Sequence, residues 1–137
     1  MSSLTIYTKG YVKDEQGPAG IGGVVCDQDG EVVLTISEAI GNATKDYADY
    51  FAAVRTLQTL SEHLAGKKIP SNLTFFSENN TLIDHLSANA TIKDVSLIGH
   101  FIEIYNLRVE HFPQLEPKLV TAGDNQSARE LAEAALN

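Results

Sequence analysis

Apolar and polar positions along this chain follow two periods, and the places where the period changes mark the elements. Leu4-Thr5-Ile6-Tyr7-Thr8 alternates apolar and hydroxylated residues, Ile21 to Cys26 is rich in β-branched residues, and Val32-Val33-Leu34-Thr35-Ile36 is apolar throughout. Three strands are predicted there. Asp27-Gln28-Asp29-Gly30, between the second and third, has the composition of a tight turn and makes them an antiparallel hairpin. The link from Gly10 to Gly20, with Gly17-Pro18 inside it, reads as another chain reversal. After Gly41 the period becomes helical. Thr44 is placed as an N-cap, and Tyr47, Tyr50, Phe51, Val54, Leu57, Leu60 and Leu64 recur at helical spacing towards a stop near Gly66.

Further on, Leu73-Thr74-Phe75-Phe76 predicts a buried strand, and Asn80 or Thr81 starts a helix that runs through Leu86. Val95 to Leu107 is helix-like, Val109-Glu110-His111-Phe112 reads as a last strand, and Gln126 to Leu136 forms an Ala- and Leu-rich terminal helix. Pro113 to Asp124 is the longest irregular stretch and the expected seat of mobility. No repeat or linker interrupts the series, so residues 1–137 form one domain. Its class is α/β: a mixed sheet with helices on both faces. A strand, a long helix and a strand in succession imply a crossover between parallel strands, and the first strand takes the centre because it must pair with both the hairpin and the crossover strand.

Composition narrows the function. At 137 residues, with 43% hydrophobic and 20% charged residues, the chain is long enough for a core and matches neither a disordered segment nor a membrane span. The formal net charge of −8 disfavours a partner held by phosphate contacts. Met1-Ser2-Ser3-Leu4 shows no leader pattern, and the lone Cys26, in an apolar run, is expected as a buried reduced thiol; a cytoplasmic home follows. The triplets Asn42-Ala43-Thr44 and Asn72-Leu73-Thr74 then lie outside the reach of glycosylation.

Five segments in order resemble the type 1 ribonuclease H family. Tyr7-Thr8-Lys9-Gly10-Tyr11 stands where the family has Tyr-Thr-Asp-Gly-Ser, and Gly17-Pro18-Ala19-Gly20-Ile21-Gly22 matches its Gly-Pro-Ala-Gly-Ile-Gly. Thr44-Lys45-Asp46-Tyr47-Ala48-Asp49-Tyr50 stands against Thr-Asn-Asn-x-Ala-Glu-Tyr, and Ser77-Glu78-Asn79 against Ser-Asp-Ser. Asn125-Gln126-Ser127-Ala128-Arg129-Glu130-Leu131-Ala132 resembles the opening of the family's last helix, Asn-x-x-Ala-Asp-x-Leu-Ala. The resemblance implies a ribonuclease H-like fold: a five-stranded mixed sheet, strands one to three antiparallel, strands four and five parallel to strand one, flanked by helices on both faces.

It also implies a site. The family's four carboxylates hold two magnesium ions that activate a water and stabilise the leaving oxygen of a cut RNA strand. Carried over one by one, those positions here are Lys9, Asp49, Glu78 and Arg129, two of them cationic and the two acids changed in length. At an effective dielectric of about 20, a unit charge about 4 Å from a divalent ion contributes about 8 kcal/mol, attractive or repulsive, so this set cancels itself. The expectation is that Lys9 pairs with Glu78 or Asp49 and Arg129 takes the remaining acid, leaving no catalytic group, metal or other cofactor. A protein partner or a second copy of the chain would then be what it binds.

Two alternatives remain. One is a Mg2+- or Mn2+-dependent ribonuclease on RNA–DNA hybrids with a rearranged acidic set, Asp49, Glu78 and Asp124; the other is a non-catalytic nucleic-acid binder. Against them, Asp46 and Asp49 complement the start of a helix, Asp124 or Asn125 can serve as an N-cap, and His63, His85, His100 and His111 lack metal-ligand spacing. Tyr47, Tyr50 and Phe51 read as core and cleft rim, and Lys67-Lys68 and Lys93 are too few to grip a duplex.

Overall fold

The computed structural model describes residues 3–88 and 91–137, so Met1 and Ser2, where the leader reading begins, lie outside it. Five strands form one sheet: β1 (Ser3–Val12), β2 (Gln16–Asp27), β3 (Val32–Thr44), β4 (Asn72–Ser77) and β5 (Leu115–Leu119). Their order is β3-β2-β1-β4-β5, with β1 central, antiparallel to β2 and parallel to β4; β2 pairs antiparallel with β3, and β4 parallel with β5. Four helices cover it: α1 (Lys45–His63), α2 (Asn80–Leu86), α3 (Ile98–Glu110), which follows a 3₁₀ turn at Val95–Leu97, and α4 (Gln126–Ala134). The predicted α/β architecture is the observed one.

Alternation along β1 assigns the two faces. Leu4 and Ile6 point with Leu73 and Phe75 into the main core against Tyr50, Leu57 and Leu60 of α1 and Ile104 of α3. Tyr7, offset by one, turns to the opposite face, stacks on Phe76 with ring centroids 5.0 Å apart, and shares a hollow with Ala128 of α4. That opposite face is built for close approach. A Cβ at Gly22 would lie 2.0 Å from the Ala128 carbonyl oxygen, and one at Gly20 would lie 2.2 Å from that of Ala132, so α4 rests directly on the backbone of β2.

Three boundaries differ from the reading of the sequence. Gly17-Pro18 is not a turn: the reversal is made at residues 13–15, with Asp14 at φ 64°, and β2 already runs from Gln16. Gly20 and Gly22 are strand residues whose missing side chains make room for α4, and Gly23 makes room for Thr56 of α1. The predicted strand Val109–Phe112 is instead the end of α3 and its cap, because Ile104 and the residues around it hold a helix that continues to Glu110. The last strand, Leu115–Leu119, falls inside the stretch expected to be irregular. Pro117 disguised it, and the edge position tolerates that proline. Cys26 is half-buried rather than buried.

Candidate functional site

The carboxyl end of β1 meets the start of α1, the end of β4 and the start of α4, and six side chains converge there: Lys9, Lys45, Asp49, Glu78, Asn79 and Asn125. Thr44 caps α1 by accepting from the Tyr47 backbone N–H, which sets Asp49 on the second turn, facing the strand. No side chain fits between them: a Cβ on Gly10 would sit 2.5 Å from the backbone of Ala48. The Gly10 N–H therefore donates to Oδ1 of Asp49 at 2.9 Å. Oδ2 of the same buried carboxylate receives the Lys45 ammonium at 2.9 Å and Nδ2 of Asn79 at 2.9 Å. Asn79 also donates to Oδ1 of Asp46 at 2.8 Å, while its own Oδ1 caps α2 through the Leu82 N–H. The two acids of α1 are thus bridged by an amide.

The second acid is held as fully. Lys9 Nζ lies 3.3 Å from Oε1 of Glu78, and Asn125 donates to Oε2 of Glu78 at 2.9 Å and to the Thr8 carbonyl at 3.0 Å. Both neighbours of the Asn125 amide are acceptors, which fixes its NH2 towards them and leaves its Oδ1 buried without a partner. Burial works to raise the Glu78 carboxyl, but the Asn125 amide, the Lys9 ammonium and Lys45 outweigh it and hold the group below its ordinary value. Lys9 moves down too, first because it is buried and then because Lys45 stands close, with Asp49 and Glu78 opposing. Lys45 is opposed by burial but raised on balance, chiefly by Asp49.

Three of the four expected positions come together: Lys9, Asp49 and Glu78. Arg129 does not join them. Half-exposed on α4, it bonds Glu133 one turn further along at 3.2 Å, because its helix already offers it an acid in water and Asn125 occupies the place beside Glu78. Asn125 precedes α4 without capping it through its side chain, and Asp124 stays exposed, accepting from the Thr121 hydroxyl. Among the described residues, no three His, Cys, Asp or Glu side chains form a group that could hold a metal ion. Sequence reasoning missed Lys45 and Asn79. The first had a visible signal, since a lysine four residues before an acid on a helix lies directly over it.

Tyr50 is wholly buried, as a core residue, and its hydroxyl bonds Nδ1 of His85, whereas Tyr47 and Phe51 flank His100 at 4.7 and 5.3 Å between ring centroids in a groove between α1 and α3. No helix among the described residues is long and apolar enough to cross a membrane.

Comparison with known proteins places this geometry. The reverse transcriptase-like family model matches residues 7–135. Among solved structures, the chain is similar to LC11-RNase H1 in complex with RNA/DNA hybrid, with a TM-score of 0.91 and 26% identity over 96% of this chain and 95% of that one. It is similar in fold to RNase H1 from the halophilic archaeon Halobacterium salinarum, at TM-score 0.87 and 22% identity over 98% and 97% of the two chains. The N-terminal RNase H domain of rv2228c from Mycobacterium tuberculosis gives 0.86 and 22% over 98% and 99%. No curated protein sequence gives a significant match.

Proposed function

Since the chain belongs to the reverse transcriptase-like family and carries the ribonuclease H-like fold, we propose that it is a member that does not cleave nucleic acid and that serves as an interaction module. One observation carries this reading: every oxygen of the two cleft carboxylates is already engaged. Asp49 is taken by Gly10, Lys45 and Asn79, and Glu78 by Lys9 and Asn125. Magnesium gives up water reluctantly and is drawn in by open carboxylates. Two ammonium groups and two amide NH2 groups are donors only, and they repel or ignore a cation. The donor set does not fit the family's divalent ions.

Without an ion, the described cleft residues also offer no unpaired carboxylate to take a proton from an attacking water. Lys45 is held protonated by Asp49, and the closed pairs leave no free acid or base at the cleft floor. What remains is a rigid floor, which suits a binding domain.

The test is cleavage of a labelled RNA–DNA hybrid with magnesium or manganese. The expected result is no product at any ion concentration. Product that disappears in Asp49→Asn would establish the rearranged metal site and overturn the proposal. Binding to RNA, DNA and hybrid is measured beside it, because LC11-RNase H1 is seen with a hybrid bound. Weak binding is expected from a chain of net charge −8, whereas tight binding that falls steeply with salt would make the chain a nucleic-acid binder instead.

A further inference from the structure

Helix α3 and the 3₁₀ turn before it are apolar on two separate faces. Leu97 and Ile104, with Phe101 and Leu107 half-buried beside them, pack into the core. The second face stands in water: Val95 is 79% exposed, Ile98 40%, Ile102 52%, Tyr105 59% and Val109 60%. These are five of the seven large apolar side chains exposed among the described residues, so the clustering is not the scatter that any surface carries. Their spacing is three, four, three, four. At 3.6 residues per turn such a series stays within one narrow stripe, the seam with which one helix packs on another.

We propose that this stripe is the contact between two copies of the chain, packed antiparallel about a two-fold axis that crosses α3 between residues 103 and 104. In that register Ile98 faces Val109 of the second copy and Ile102 faces its Tyr105. The pattern is complementary to itself and needs no other sequence. The hollow of about 430 Å³ beside the stripe, lined by Phe101, Tyr105, Arg108 and Val109, receives Ile98 of the second copy.

Area and charge both select this occupant. The four side chains paired in this register, exposed to this extent, present roughly 400 Å² of apolar surface per copy, and two copies together bury up to about 800 Å², a small interface that fits weak, micromolar association. The stripe carries no charge. Arg108, beside Val109, is turned inward onto the carbonyls of Leu86 and Leu115 at 2.8 and 3.3 Å, so its guanidinium is not offered to a phosphate. The exposed strand β5 is a poorer route to association, since Pro117 and the Lys118–Glu116 pair guard that edge.

This inference deepens the reading of the chain as an interaction module, and its test does not depend on the cleft. Sedimentation of the full chain across a concentration series is expected to show conversion of the 14.8 kDa monomer into a dimer at micromolar concentration, undiminished by added salt because two acidic copies are being screened. Ile102→Glu with Tyr105→Glu is expected to stay monomeric, to keep the far-UV spectrum of the parent, and to match its melting temperature at concentrations too low for the parent to dimerise. A parent that stays monomeric, or a dimer that survives the double substitution, overturns the proposal. Orientation is read by crosslinking in a Cys26→Ser background: a mixture of Ile98→Cys and Val109→Cys chains forms mixed disulfide dimers, whereas Ile98→Cys alone does not. Efficient linkage of Ile98→Cys to itself would overturn the antiparallel arrangement. Loss of the dimer with an inert cleft, or a dimer with an active one, separates the two proposals.

Discussion

Lys9 and Glu78 each lie two residues beyond Tyr7 and Phe76, the last registered pair of the parallel strands β1 and β4, and their side chains close across that gap at 3.3 Å. Strand register places Lys9 on the face of Tyr7, and the bend that follows β4 carries Glu78 towards it. Both are nearly buried, with 10% and 16% of their side-chain surface exposed. Removing one partner strands the other's charge. Lys9→Met, which keeps most of the aliphatic stem, is expected to cost about 3 kcal/mol in urea unfolding, and adding Glu78→Gln should return most of it. A double-variant loss equal to the sum of the losses of Lys9→Met and Glu78→Gln alone would show that the pair is not coupled.

Asn125, rather than Arg129, ties α4 to the cleft. Its amide spans from the Thr8 carbonyl of β1 to Glu78 just past the end of β4, both of which would be left short of a donor in Asn125→Ala. The expected cost is about 1–3 kcal/mol, against less than about 0.5 kcal/mol for Arg129→Ala, whose contact with Glu133 is in water. Comparable losses at the two positions would return Arg129 to the site.

The elements whose burial follows one period were legible in the sequence: β1, the β2–β3 hairpin at Gly30, α1 behind Thr44, and α2 behind Asn79. The misread segments are those where tertiary contact overrules local signal. Gly17 and Gly20 carry the composition of a chain reversal, and nothing in their neighbourhood announces the helix from residue 126 onwards that rests on Gly20 and Gly22. Val109 looked like a strand residue because its β-branched side chain belongs to an exposed stripe, not to the core. In the cleft, the charges of Lys9 and Glu78 were readable, but the choice of partner for Asp49 was not made correctly, since the family comparison directs attention to the four acidic positions and Lys45 is none of them.

Acid should undo the cleft in a defined window. Burial opposes the charge of Glu78, but the Asn125 amide and Lys9 hold its folded value below the ordinary 4.5. A carboxyl depressed on folding binds its proton more readily in the unfolded chain, so its contribution is complete above the unfolded value and is lost as pH falls through the folded one. The stability difference between the parent and Glu78→Gln is therefore expected to be full at pH 7 and to close below pH 4.5. Urea titrations of both proteins at about pH 7 and about pH 3 measure it. A difference that persists undiminished in acid would mean that the carboxylate charge is not what stabilises the cleft.

Restoring acids tests whether charge alone closed the site. Lys9→Asp and Arg129→Asp supply two carboxylates, but Lys45 still covers Asp49, so this pair of changes is expected to gain little affinity for magnesium. Adding Lys45→Asn and Glu78→Asp removes the remaining ammonium and returns the fourth-strand acid to its shorter reach. Position 129 lies one helical turn from Asn125 and on the same side of α4, so a carboxylate there can approach the cleft. With free magnesium at about 100 times its dissociation constant, binding to the folded state alone stabilises by about 2.7 kcal/mol, which at this chain length is a rise of several degrees in melting temperature over chelator. That rise is expected in the fourfold variant and not in the parent. If magnesium stabilises the parent equally, the lysines do not exclude it. A fourfold variant that folds and gains nothing would mean that the backbone of the cleft, and not only its charge, has moved away from a metal site.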